Sequence, residues 1–383
     1  MKIAIVSQTE ILEELRTTFG EDPLIRDALL RCDPDAQVDI VDWRDDSIDW
    51  HSYDGIFVSS TWNNTLHPKE FITWLDHCES DGTKRVINDK SWLLLNFVKG
   101  QYLQRFQADP DLAKSLIPTA IIKKPLSPAA LSTRLTALDP AATQFVCKPE
   151  VAIGGDDTHI VNRHDDAAAI GQQISSIFKK YPLGGVMLQP FIDSITTTGE
   201  YQLLYINGTF SHAIVKPPGF KNYDRGNFTL LDASMLPDTM QEVAERFVKA
   251  TSVNDQPLVR LRLDFVLAQD GKPLLLEAEG IEPRNNLLCL PTGKTREAVT
   301  SKLADAIAKR TLTHQHQAHF HPWSTTTRAT TPTVAALATY AALRKAPPSI
   351  RTATSLFAGI TSACALSLGP ALYKPSPQSD PKP

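Results

Sequence analysis

This 383-residue chain has no long apolar run, no paired-cysteine spacing and no surplus of charge of either sign. Each absence removes a class of protein. Lys and Arg number 39 against 43 Asp and Glu, a formal net charge of −4, so the electrostatic footprint of a nucleic-acid binder is missing and no nucleic-acid partner is expected. The cysteines, Cys32, Cys78, Cys147, Cys289 and Cys364, are odd in number, far apart and never spaced C-x-x-C. That excludes a disulfide framework or a zinc ribbon and suits reduced thiols in a cytoplasmic protein. The apolar start at residues 1–6 is too short for a signal peptide and reads as a buried strand. Residues 355–373 are the only other stretch to test for a membrane, but Ser355, Thr361, Ser362, Ser367, Gly369 and Pro370 dilute it. A spanning helix needs about 20 predominantly apolar residues. No G-x-G-x-x-G follows the first strand, and no G-x-S-x-G occurs. Leu288 stands where a P-loop ending in Gly293-Lys294-Thr295 needs its first glycine.

What remains is an ordinary globular composition, 42% hydrophobic and 21% charged, long enough for two or three subdomains. In the first hundred residues, strand patterns at 3–6, 38–41, 55–58 and 85–87 alternate with helical ones at 24–30 and 68–78. Phe71, Trp74, Leu75 and Cys78 share one helical face. This alternation indicates a parallel α/β sheet. A helix is expected over 92–106, then strands at 117–122 and 144–147. Further strands at 185–189, 201–206, 210–215, 259–267 and 273–278 read as one largely antiparallel sheet, with turns at Asn207-Gly208 and Asp270-Gly271. A last helix fits 295–309. Beyond residue 311 the chain is rich in Thr, His, Pro, Ser and Ala without a period, the composition of a disordered tail. His314, His316, His319 and His321 in that stretch read as solvated side chains more readily than as metal ligands.

Two segments carry chemistry. Phe145-Val146-Cys147-Lys148-Pro149 delivers a lysine from an apolar strand into a loop holding Gly154 and Gly155. Glycines let backbone N–H groups approach phosphate oxygens, and the ammonium supplies charge. The alternative is a surface lysine beside an ordinary turn. In Leu274-Leu275-Leu276-Glu277-Ala278-Glu279 the two glutamates share one strand face. The Asp270-Gly271 turn brings Asp264 alongside. Carboxylates so grouped repel unless a cation intervenes, and the set suits Mg²⁺ bridging nucleotide phosphates. The alternative is a solvated outer face.

The ordered set resembles the ATP-grasp superfamily, and within it the cycloserine-synthetase-like and glutathione-synthetase-like ligases, over about residues 1–310. The segments that carry the resemblance are Lys99-Gly100-Gln101-Tyr102-Leu103, Lys148-Pro149 with Gly154-Gly155, Met187-Leu188-Gln189-Pro190-Phe191, Gly199-Glu200, Ala213-Ile214-Val215-Lys216 and Leu276-Glu277-Ala278-Glu279. Ser60-Thr61-Trp62 adds to them. The resemblance implies that Lys99 and Lys148 hold the nucleotide phosphates and that Gly154 and Gly155 cover them. Gln189 and Phe191 would meet the adenine, and Glu200 the ribose. Asp264, Glu277 and Glu279 would hold Mg²⁺, with Mn²⁺ as the alternative ion. Arg262 and Lys216 would stabilise the acylphosphate and the tetrahedral intermediate. Val98, Asn63, Asn64 and Asn227 depart from the relatives' usual residues, outside the phosphate and metal set, and bear on which substrate is taken.

The expected architecture is therefore an α/β (α+β) ATP-grasp fold. A substrate-side α/β domain spans 1–110, a lid subdomain 111–182, an antiparallel catalytic sheet 183–310, and a tail 311–383. The expected reaction joins a small carboxylic acid, such as an amino acid, to an amine through an acylphosphate, with ATP giving ADP and phosphate. The alternatives are a nucleotide-binding protein without turnover and a phosphotransferase.

Overall fold

The computed structural model describes residues 1–8, 20–165, 167–219 and 228–319. Asn227, His321 and residues 355–373 lie outside them. Four strands, β1 (Lys2–Ser7), β2 (Gln37–Asp42), β3 (Gly55–Ser60) and β4 (Val86–Ile87), form a parallel sheet in the order β2-β1-β3-β4. Ile3, Ala4, Ile5 and Val6 are all fully buried, which is why β1 reads as an unbroken apolar run and not as an alternation. Helices α1 (Asp22–Cys32) and α2 (Pro68–Cys78) join its strands. α2 starts on a proline and buries Phe71, Trp74, Leu75 and Cys78, the stripe its spacing predicts.

The single helix expected over 92–106 is two, α3 (Lys90–Phe97) and α4 (Lys99–Gln107). Val98 between them is extended, with φ −109° and ψ 99°. The break has a tertiary cause: the Lys99 N–H leaves the helical ladder and donates to the Glu150 carbonyl at 3.1 Å. The helical period of the apolar residues gave no sign of it.

A second sheet consists of β5 (Ala120–Ile122), β6 (Gln144–Pro149), β7 (His159–Asn162) and β8 (Val186–Pro190), in the order β5-β8-β6-β7 and antiparallel throughout. Leu131 and Leu135 of α5 (Pro128–Leu138), with Ile170, Ile174 and Ile177 of α6 (Ala167–Lys180), cover Phe145 and Leu188. The strand expected at 185–189 belongs here and not to the catalytic sheet, because β6 and β5 flank it on both edges.

The third sheet is antiparallel: β9 (Glu200–Ile206), β10 (Thr209–Lys216), β11 (Thr229–Leu231), β12 (Arg260–Leu267) and β13 (Pro273–Glu279), ordered β11-β10-β9-β12-β13. Asn207 and Gly208 turn β9 into β10 with φ of 47° and 75°, the two positive values a tight hairpin requires. Helix α7 (Met240–Ala250) packs Phe247 on Phe265.

The last helix, α8 (Lys294–His319), runs well past residue 309, so the first residues of the expected tail are helical. Leu303, Ala304, Ile307, Thr311 and His314 continue one buried stripe. Thr311 lies against Gly55, where an added Cβ would collide with its Oγ1. Among the described residues no helix is long and apolar enough to cross a membrane.

Candidate active site

The acidic face is built by register. β12 and β13 pair so that Asp264 faces Glu277 and Arg262 faces Glu279, placing all four side chains on one side of the sheet. Arg262 closes a two-toothed fork on Asp264, Nε to Oδ1 at 2.8 Å and Nη2 to Oδ2 at 2.9 Å. Burial, reinforced by the charges of Glu200 and Glu277, still pushes the Asp264 carboxyl up to about 7 against the Arg262 guanidinium. Glu277 behaves oppositely. Burial raises it, but Lys99, Lys148 and Arg262 together outweigh burial and hold it below the usual carboxylate range. Lys99 Nζ sits 3.2 Å from Glu277 Oε1 and donates to the Ala152 carbonyl at 2.6 Å. Glu279 Oε1 accepts from the N–H groups of Ile281 and Glu282 at 2.9 and 3.2 Å.

A cavity of about 230 Å³ opens between this face and the second sheet. It gathers Lys99, Lys148, Gly154, Gly155, Gln189, Phe191, Glu200, Lys216, Arg262, Asp264 and Glu277, every residue singled out for nucleotide or catalysis, from stretches far apart in the chain. Lys148, near the end of β6, makes no ion pair among the described residues. Burial lowers its ammonium below the usual lysine value, with Lys99 adding to the effect and Glu277 and Glu200 opposing it. Gly154 and Gly155 have φ of 63° and 74°, a left-handed bend that favours glycine and leaves the backbone open to the cavity. Gln189 donates through Nε2 to Thr119 Oγ1 at 2.8 Å. Glu200 accepts from Gln202 at 2.7 Å and lies 3.4 Å from Lys216 Nζ. The apolar walls Ile117, Val146, Val266 and Leu276 escaped the sequence reading, since single Ile, Val and Leu residues at strand positions look like any core residue.

Glu279 faces a second, smaller cavity of about 80 Å³, which shares Lys99, Ala152, Gly154, Arg262 and Glu277 with the first. Its other wall brings Asn64 and Glu282. Glu282 accepts from Thr61 Oγ1 and from Asn64 Nδ2, both at 2.7 Å; burial, aided by Glu279, pushes its carboxyl up to about 8. These bonds join the first sheet to the loop after β13. Asn88 and Asn96 pin the same loop, donating to the carbonyls of Gly280 and Ala278 at 2.8 and 2.7 Å. Glu21 holds it further on, accepting from the Asn285 and Leu287 N–H groups at 2.7 and 2.6 Å. Partners some two hundred residues apart leave no local signal, so these contacts were not foreseen, although Thr61 stood in the resemblance and Asn64 among the departures that bear on the substrate.

Part of the donor set suits a metal. Asp264 and Glu277 are hard oxygen donors side by side on a buried face, and the upward push on Asp264 is the strain a cation relieves. Among the described residues, however, no three His, Cys, Asp or Glu side chains are gathered as a ligand cluster, because Arg262 occupies Asp264 and Glu279 is turned to its own backbone.

A cleft between two antiparallel sheets, with Lys148 and a glycine bend on one wall and acidic strands with Lys99 and Lys216 on the other, defines a class. Its fold is that of the ATP-grasp carboxylate–amine ligases, and the chain is similar to the cycloserine synthetases. Residues 3–88 match the family described as the N-terminal domain of D-cycloserine synthetase DcsG. The chain is 26% identical over 283 residues to the cycloserine biosynthesis protein DcsG of Streptomyces lavendulae, covering 71% of this chain and 88% of that relative. In fold it is similar to the crystal structure of D-cycloserine synthetase DcsG, with TM-score 0.68, 23% identity, and 81% and 100% of the two chains covered. It is also similar to D-alanyl-alanine synthetase A of Vibrio cholerae, with TM-score 0.57, 12% identity, and 82% and 98% covered.

Proposed function

We propose that the protein couples ATP hydrolysis to amide-type C–N bond formation on a small amino acid, in the cytoplasm, with the free thiols of Cys32, Cys78, Cys147 and Cys289 in keeping with that compartment. The observation that carries this reading is the wall shared by the two cavities, where Lys99, Arg262 and Glu277 face both. A carboxylate in the small cavity and the terminal phosphate of a nucleotide in the large one would meet there.

The substrate carboxylate oxygen attacks the γ-phosphorus and ADP departs; an amine nitrogen then attacks the acyl carbon, phosphate leaves and the amine proton is lost. Lys99 and Lys148 bind phosphate oxygens, and the Gly154-Gly155 bend lets backbone N–H groups approach them. Gln189 and Phe191 border the base and Glu200 the ribose. Arg262 and Lys216 are fixed cations for the charge that develops on phosphoryl and acyl oxygens. Asp264 and Glu277, with Glu279 beside them, would hold Mg²⁺, or Mn²⁺ in its place. That ion would neutralise phosphate charge when bound. Positioning and charge stabilisation account for the catalysis, as in phosphoryl transfer generally.

The test is ADP release from ATP and Mg²⁺, screened over amino acids singly and in pairs with product mass measured. Release with one amino acid and a product lighter by water supports ring closure; release only with pairs supports intermolecular ligation. A phosphorylated end product that never reacts with an amine would make the protein a phosphotransferase, and ATP binding without ADP release would overturn the enzyme reading.

A further inference from the structure

The smaller cavity has chemistry of its own. Asn64 walls it and is 1% exposed. Its Nδ2 donates to Glu282 Oε1 at 2.7 Å, while its Oδ1 has no hydrogen-bond partner among the described residues. With Glu282 ionised the amide cannot be reversed, because Nδ2 donates both to that carboxylate and, at 3.3 Å, to Thr61 Oγ1, whose own proton goes to Glu282. A buried amide oxygen left without a donor carries its full desolvation penalty. Asn64 therefore presents an unused acceptor beside a buried carboxylate.

Glu282 itself is 6% exposed and accepts only from neutral donors, Thr61 Oγ1 and Asn64 Nδ2. Among the described residues no lysine or arginine pairs with it. Glu279 stands in the same wall, with Oε1 committed to backbone N–H groups. The cationic groups that line the cavity are Lys99 and Arg262, which with Glu277 also line the large cavity. The cavity's cations thus lie where it meets the large one, whereas Asn64 Oδ1 and Glu282 bring acceptors only. The cavity is also small. At roughly 10–15 Å³ per water-sized group, a volume of about 80 Å³ admits about five to eight such groups, the size of a small amino acid.

We propose that Asn64 Oδ1 and the Glu282 carboxylate are the acceptors for the primary ammonium group of a small amino acid, whose carboxylate points to Arg262 and Lys99. Three hydrogens on the ammonium match an amide oxygen and a carboxylate converging from one side. A hydroxyl in its place brings one hydrogen and no charge. This rests on the ligase reading above and adds which end of the substrate lies where, and which residues choose it.

The experiment measures ADP release by the full chain with Mg²⁺ and ATP. Glycine and both enantiomers of alanine and serine are compared with glycolate, lactate and glycerate, in which hydroxyl replaces ammonium. In the unaltered protein the preferred amino acid should show a KM at least 100-fold below its hydroxy acid. Glu282→Gln and Asn64→Ala should each raise the amino-acid KM at least 30-fold. The hydroxy-acid KM and the ATP KM should stay within about threefold, a split that a general loosening of the fold would not give. Equal KM values for amino and hydroxy acids in the unaltered protein overturn the proposal and leave the ligase reading standing, and that arm needs no variant to fold. Unchanged amino-acid KM in both variants overturns it as well. ATP binding without ADP release from any acid overturns the ligase reading and this inference together.

Discussion

The two antiparallel sheets that face one another across the large cavity handle charge in opposite ways. In the β9–β13 sheet each functional charge has a partner: Arg262 with Asp264, Lys99 from α4 with Glu277, Lys216 with Glu200. In the β5–β8 sheet, Lys148 reaches the cavity without an ion pair among the described residues, and the neighbouring bend is made of glycine at positive φ. A paired charge is held in place before any ligand arrives, so little reorganisation is left to do during reaction. An unpaired, half-buried ammonium is held below its usual pKa and awaits an anion. One wall is preset, and on the proposed function the other is left for a ligand to complete.

The largest expected effect breaks the preset wall. Glu277→Gln keeps the shape and leaves Lys99 an oxygen to contact, yet removes the charge set against three cations. ADP release should fall at least a thousandfold, about 4 kcal/mol in activation free energy, with the far-UV circular dichroism unchanged. Activity within tenfold of the parent would refute a metal-holding role for this carboxylate.

Next comes a direct contrast of the two lysines. On the proposed function either Lys99→Met or Lys148→Met would remove a charge-assisted phosphate contact, and ATP binding should weaken by about 1.5–3 kcal/mol. Stability should separate them. Lys99→Met strands Glu277 without its ion pair and should lower Tm, whereas Lys148→Met relieves a burial penalty and should leave Tm equal or higher. Calorimetric ATP titration and thermal melts check both, and equal losses of Tm would erase the proposed difference between the walls.

A pH scan sharpens the preset side. Burial lowers His212 on β10 to about 4, against which its bond to the Asn285 carbonyl, at 2.9 Å, acts only weakly. The folded value lies below the unfolded one, so the stability is present above pH 6.5 and is lost as pH falls toward 4. Over that window the loss approaches about 3 kcal/mol. His212→Gln should flatten the acid limb of a denaturation series. His314, also held near 4 by burial, would keep part of the slope, and an unaltered slope counts against His212 as its source.

The smallest effect is expected at the end of the chain. Truncation after His319 should leave ATP turnover within about twofold, under ~0.5 kcal/mol. Truncation after Lys309 should not, since it deletes the Arg310 bond to the Pro257 carbonyl and the buried Thr311 and His314. Purified variants assayed for ADP release and for aggregation distinguish these outcomes. Equal behaviour of the two would mean the last turns of α8 contribute nothing.

Much of this was legible in sequence because it is local. An apolar run fully buried in β1, alternation in β12 and β13, and the Asn207-Gly208 turn are each set by side-chain size, strand period and backbone sterics within a few residues. The order of lysines, glycines and acidic strands added the ATP-grasp reading, and the cavity brings those residues together. Tertiary structure alone decided the rest. It broke the helix at Val98 by drawing the Lys99 N–H to Glu150, and it placed β8 between β5 and β6. It carried α8 on to His319 by burying Thr311 beside Gly55. It also set Asn64 and Thr61 against Glu282, more than two hundred residues away. The physical reason is the same each time: a hydrogen bond or a packed face formed between distant segments leaves no periodic trace in either of them, so only the folded chain can show which buried polar atom has found its partner and which still lacks one.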